Sequence, residues 1–229
     1  MNLIELAKTR VMSGGSGGSG GGGGEDTFPA DKYFEGGYET VELPNATAMK
    51  EYAFYQDKTL KNIIMPKVTS IGMNTFQNCS NLALTSLPSG ITSIGSTAFS
   101  GCSNLALTSL PSGITKIDMY TFQNCSNLAL TSLPNSITEI DAYAFGSCTK
   151  LTLTSLPSKL NYLGSRAFNN CTGLTSITFT KKPGRVLENS AFYGCTNLTT
   201  INVPWAEGAV ANAPWGASNA TINYNYTGE

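Results

Sequence analysis

The decapeptide CSNLALTSLP stands unchanged at Cys79–Pro88, Cys102–Pro111 and Cys125–Pro134. The step is 23 residues, and it continues beyond the identical copies. Cysteines fall at Cys79, Cys102, Cys125, Cys148, Cys171 and Cys195. A phenylalanine stands three residues before each (Phe76, Phe99, Phe122, Phe145, Phe168, Phe192) and a leucine three after (Leu82, Leu105, Leu128, Leu151, Leu174, Leu198). A unit this short cannot enclose its own apolar side. It has to bury that side against the units before and after it, which makes the chain a solenoid. The register extends outward in degenerate form. Phe54 is followed by Asp57 in the cysteine slot and Leu60 in the leucine slot, and Trp215 lies 23 residues after Phe192. Irregular end units are what a solenoid needs to close its open faces.

Signals change along each repeat. Leu174-x-x-Ile177-x-Phe179 and Leu198-x-x-Ile201-x-Val203-Pro204 read as short strands, the latter stopped by proline. The central repeats carry Leu82-x-Leu84-x-x-Leu87-Pro88 instead, so their apolar spacing differs. A second extended piece follows, Ile91-x-x-Ile94, repeated at Ile114/Ile117, Ile137/Ile140 and Leu160/Leu163. Gly95, Asp118, Asp141 and Gly164 then turn the chain, and Ala98-Phe99-x-x-Cys102 suits one helical turn with ring and thiol on one side. Lys181–Arg185 (KKPGR) lengthens one loop and gives the single 24-residue step, from Cys171 to Cys195.

This pattern, L-x-x-I-x-I-P-x-x-V-x-x-I-G-x-x-A-F-x-x-C, resembles that of the BspA-like (Treponema pallidum-type) leucine-rich repeats over residues 41 to about 204. The resemblance implies an α/β repeat solenoid dominated by β structure: a right-handed superhelix with short parallel strands on a concave side and short helical turns elsewhere. It also implies adhesion or recognition at microbial surfaces. The tail from Asn202 to Ala217, ending in Ile222-Asn-Tyr-Asn-Tyr226, is similar to the terminal unit of such proteins in gut bacteria and their phages.

Around the repeats the chain divides into a short helix over 1–12, a Gly/Ser linker over 13–24 and an N-terminal cap over 25–44. Repeats occupy 45–204 and a C-terminal cap 205–229. Asn2 can cap the first helix, and Leu3, Leu6 and Ala7, with Ile4, Val11 and Met12, give it an apolar side. That side either docks on a second copy or larger assembly, or the terminus frays. Glu5 and Lys8 break what a signal peptide would need as its apolar run. The linker, whether native or introduced, formally contains Gly15-x-Gly17-x-x-Gly20, but no strand precedes it and any glycine tract would match.

Charge and composition exclude more than they assign. The formal net charge is −1, and between Val68 and Thr138 only Lys116 and Asp118 are charged. Such a surface offers phosphate backbones no basic stripe, so no nucleic-acid partner is expected. No run approaches the roughly 18 apolar residues of a membrane span, so no insertion is expected. The chain has no histidine, which removes His-based triads and His-ligated metals. The six cysteines repeat with the coil rather than in C-x-x-C pairs, which reads as a column of buried free thiols and not a zinc site. Asn78, Asn124 and Asn170 create N-C-S/T sequons as by-products of the repeat. Asp118, Glu139 and Asp141 form the one acidic grouping in the array, and turn duty suits them better than paired acid–base work. No cofactor or catalytic set is expected.

Two rows remain as candidate binding residues. One is the hydroxyl ladder Thr85/Ser86, Thr108/Ser109, Thr131/Ser132 and Thr154/Ser155, with the member of each pair that faces outward left open by the leucine spacing. The other is the tyrosine row Tyr120, Tyr143, Tyr162 and Tyr193, since rigid aromatics make good contact anchors. The expected role is a non-enzymatic recognition or adhesion module for a protein or glycan partner, at an extracellular surface or on a virion, with the terminal helix joining an assembly. A ligand-free spacer or decoration protein is the alternative.

Overall fold

The computed structural model describes residues 9–11 (backbone), 37–184 and 190–228; the Gly/Ser linker and most of the expected N-terminal helix and cap lie outside these residues. Among the described residues, twelve strands of two or three residues run in chain order: β1 (Thr9–Val11), β2 (Thr40–Glu42), β3 (Ala48–Met49), β4 (Asn62–Ile64), β5 (Ser70–Ile71), β6 (Ser93–Ile94), β7 (Lys116–Ile117), β8 (Glu139–Ile140), β9 (Tyr162–Leu163), β10 (Ser176–Thr178), β11 (Thr200–Asn202) and β12 (Thr221–Asn223). All pairings are parallel and join neighbouring coils, in the orders β1-β2-β4, β3-β5-β6, β7-β8-β9 and β10-β11-β12. The chain is a β-solenoid. Residues 9–11 pair as a strand with Thr40–Glu42, which corrects the helix expected over 1–12 at its C-terminal end. The edge of β2 offers unpaired backbone groups there, and a strand satisfies them where a helix cannot.

Columns of identical side chains fill the interior. Phe54, Phe76, Phe99, Phe122, Phe145, Phe168 and Phe192 stack with centroids 5.2–5.6 Å apart and planes within 15° of parallel. The leucines from Leu60 to Leu198 and the six thiols lie beside them, all buried. Each thiol also donates to the carbonyl of the phenylalanine one coil back, as from Cys125 Sγ to Phe99 O at 3.1 Å and from Cys148 Sγ to Phe122 O at 3.0 Å. The sequence pointed to an apolar filler; the structure adds a hydrogen bond between coils.

No helix occurs among the described residues, so the helical turn expected at Ala-Phe-x-x-Cys is corrected. Phenylalanine and cysteine do share the inner side, but the backbone there is a ribbon of turns. Asn74, Phe76 and Asn78 donate their amides to Ser96, Ala98 and Ser100 of the next coil, while Gln77 and Cys79 donate back within their own. An α-helix would direct every amide back along its own chain and leave none for the neighbouring coil. Alternation is possible because the residues two before and two after each phenylalanine from Phe54 to Phe168 adopt positive φ, as with 56° at Asn74 and 62° at Asn78. The later of these two positions carries Asn78, Gly101, Asn124, Asn170 and Gly194, residues tolerant of left-handed backbone, with Ser147 in the remaining cysteine-bearing coil. The supposed sequons are thus a turn requirement. The earlier position holds Thr97 at φ 59°, where a β-branched side chain is strained. Thr97→Asn is expected to raise stability by about 1 kcal/mol in urea unfolding, since asparagine visits this region at lower cost.

The central coils hold a second correction. Residues 82–88, 105–111 and 128–134 form no strand, although the resemblance implied short parallel strands on this side. Strand-type coils bury alternate residues, such as Ile201 and Val203. The LALTSLP coils bury Leu107 and Leu110, three apart, and two residues bulge outward between them. The last coil shifts too. Hydrogen bonds put Pro214 and Ala217 where Phe192 and Cys195 stand one coil earlier, so Trp215 lies one residue past the ring slot. Its indole is nonetheless buried and closes the core with Phe179 and Trp205, at centroid distances of 5.5 Å and 6.4 Å.

Candidate functional site

The hydroxyl ladder lies on the bulge. Since two residues separate the buried leucines, both members of each pair point away from the core: Thr85, Ser86, Thr108, Ser109, Thr131, Ser132 and Thr154 are exposed, and Ser155 is half-buried beside its bridge to Thr178. The question the sequence left open is answered by both facing out, on bends rather than strands.

Two other rows of hydroxyls on the solenoid are engaged. Thr69, Thr92 and Thr138 donate to backbone carbonyls of the preceding coil at 3.1–3.3 Å. Ser103, Ser126 and Thr149 do the same along another line, at 3.2–3.3 Å. The hydroxyls of Thr85, Ser86, Thr108, Ser109, Thr131, Ser132, Thr154 and Ser155 make no hydrogen bond to any described residue. The period alone could not separate these rows, because the residue types are the same; only the bonding differs.

The tyrosine row divides differently from its expectation. Tyr120 and Tyr143 are half-buried and stack on each other at 5.2 Å, so they turn a face to one another instead of to solvent. Arg166 donates to the Tyr143 hydroxyl at 2.9 Å and lies 5.1 Å from the Tyr193 ring centroid. Tyr193 is exposed, whereas Tyr162 belongs to β9, away from the others. This ridge reads as surface packing by stacking and cation–π contact.

The acidic grouping is tied up as well. Lys116 Nζ stands 3.0 Å from Asp118, 3.6 Å from Asp141 and 3.9 Å from Glu139. The hydrogen bond to Asp118 raises the Lys116 pKa, with further Coulombic support from Asp141 and Glu139. One ammonium among three carboxylates is a surface network, not an acid–base pair. Burial pushes all six thiols up: Cys79 and Cys195 to about 12, the four between them well above the ordinary value. Such thiols are inert as nucleophiles. Asp57, in the first coil's cysteine slot, accepts from the Thr59 and Leu60 amides and caps that turn.

The coil geometry and the spacing of its columns match a known repeat. The model of the BspA type leucine-rich repeat region matches residues 47–152 and 115–208. The chain belongs to this family. No curated protein matches its sequence. A leucine-rich repeat protein from Bacteroides ovatus is similar in structure, with a TM-score of 0.66, 24% identity, and coverage of 82% of this chain and 54% of that one. A leucine rich cell surface protein from Faecalibacterium prausnitzii aligns with a TM-score of 0.50 and 25% identity over 83% of this chain and 60% of that one. The leucine-rich repeat protein of T. pallidum is 25% identical over 72% of each chain, with a TM-score of 0.43. This BspA-type chain thus spans just over half the length of the first two structures it matches.

Proposed function

We propose that this BspA-type repeat protein is a non-enzymatic recognition module whose contact surface is the hydroxyl ladder from Thr85/Ser86 to Thr154/Ser155. The observation that carries this reading is the contrast in bonding. Two neighbouring rows, Thr69/Thr92/Thr138 and Ser103/Ser126/Thr149, spend their hydroxyls on the preceding coil, whereas all eight hydroxyls of the ladder keep donors and acceptors for a partner. The array is almost uncharged, so the partner is a neutral glycan or a polar protein surface rather than a polyanion. The family and the cell-surface character of the F. prausnitzii relative support an exposed setting.

A double variant, Thr108→Trp with Thr131→Trp, tests it. Binding to an array of glycans and surface proteins should fall at least about tenfold, with the melting curve unchanged. Full retention would move the contact surface elsewhere. A spacer role is the second reading, favoured by the identity of CSNLALTSLP in three consecutive coils. Deleting one 23-residue unit should leave a spacer working and impair a binding face.

A further inference from the structure

The hydroxyl ladder starts at a discontinuity. Strand β4 belongs to a coil of the alternating type, and the next coil, with Ala83–Pro88, is the first of the bulged type. The two are joined by Ala83 N–H donating to Lys61 O at 2.9 Å. In the following pair of coils the equivalent amide, Ala106, donates to Leu84 instead, one residue further on. This slip leaves slack at the junction. Ile63, whose backbone faces away from β2, makes no hydrogen bond across the gap through either its N–H or its C=O, and neither do Ala83 C=O and Thr85 N–H. A cleft of about 470 Å³ opens there, between Ile63, Ile64 and Pro66 on one wall and Thr85, Ser86 and Pro88 on the other.

We infer that this cleft binds one neutral sugar residue, a specification of the glycan branch of the reading above and dependent on it. Its size lies in the usual range of about 300–1,000 Å³ for small-molecule sites. No charged residue lines it, which removes the attraction that would select a phosphate, carboxylate or cation. Its free polar groups are of both kinds: the Ile63 N–H and C=O, the Ala83 C=O, the Thr85 N–H, the Asn62 side-chain amide and the two hydroxyls, none of them hydrogen-bonded to a described residue. A sugar hydroxyl donates and accepts at once, and so matches mixed walls. Ile64, 45% exposed, and the two prolines offer an apolar surface for a sugar's C–H face. A peptide strand fits worse. Only Ile63 turns both backbone groups to the gap, and the Ala83–Lys61 bond closes one end before a second pair could form.

The test is a titration of the 15N-labelled chain with neutral oligosaccharides of glucose, galactose, mannose and their N-acetyl forms. At least one should shift the Ile63 and Thr85 amides saturably. Thr85→Trp, filling the cleft, and Ile64→Asp, charging its apolar wall, should each weaken that sugar at least about tenfold. Lys159→Trp, on an exposed turn outside the ladder and the cleft, should leave it unchanged. Absence of saturable shifts with every sugar overturns the cleft assignment but leaves the ladder to be judged by its own double variant. A sugar lost with Thr131→Trp and kept with Thr85→Trp overturns the cleft and upholds the ladder.

Discussion

Stability should collapse as the pH is raised past about 9, far more steeply than in a protein whose thiols are exposed. The six buried thiols have pKa values pushed up by desolvation, to about 12 at the two ends of the column and well above the ordinary value between. In the unfolded chain each returns to about 8.5. The folded pKa is the raised one, so the stabilising contribution is complete below about pH 8.5 and is lost as pH climbs towards the folded value. Across that window the unfolded state releases protons that the folded state retains. Each thiol then costs about 1.4 kcal/mol per pH unit, or about 8 kcal/mol per unit for all six. Whole domains are stable by only about 5–15 kcal/mol, so unfolding should be complete near pH 10–11. Urea titrations at stepped pH measure the slope, and replacing Cys125 and Cys148 by alanine should reduce it by about a third. A flat profile between about pH 8 and 10 would mean that the column is open to solvent.

How much of this could be read from residues depends on which interaction each residue serves. Columns were legible because a solenoid repeats both its chemistry and its contacts: Phe99, Cys102 and Leu105 recur, and each meets its own kind one coil on. The route of the backbone was less legible. Phenylalanine and cysteine three apart fit a helical turn and a left-handed turn ribbon equally well, because both put i and i+3 on one side. What separated them was the Asn/Gly choice at 78, 101, 124, 170 and 194, a signal of positive φ that sequons disguised. The Leu82-x-Leu84-x-x-Leu87 spacing showed that the central coils differ from the Leu-x-x-Ile-x-Val ones, but neither that they form no strand nor that both Thr85 and Ser86 would emerge from a bulge.

The candidate surface was legible in position and not in kind. Thr69 and Thr85 look alike in the sequence, yet the hydroxyl of one bonds the coil before it and the hydroxyl of the other bonds no described residue. Tyr120 and Tyr143 stood out as anchors because they are one period apart, and that same spacing is why they stack on one another. The junction cleft depends on a one-residue slip between two coil types, which no single repeat announces.

Removing one ring from the middle of the column should do more than weaken the protein. Phe122 is fully buried and stacks 5.6 Å from Phe99 and 5.5 Å from Phe145, so Phe122→Ala deletes two ring contacts and leaves a cavity between coils. The expected loss is about 3–5 kcal/mol. Because each coil touches only its neighbours, the damage falls on the coupling between the two halves of the stack. Both tryptophans, Trp205 and Trp215, sit in the C-terminal closing cluster, so their fluorescence follows that half while far-UV circular dichroism follows the whole. In the parent the two urea transitions should coincide; in Phe122→Ala they should separate, with fluorescence changing at a urea concentration different from that of the dichroism midpoint. Tyr120→Ala, two residues away on the surface ridge, should cost no more than about 1.5 kcal/mol and keep the transitions together. A Phe122→Ala loss below about 1 kcal/mol with coincident curves would show that the rings are bystanders.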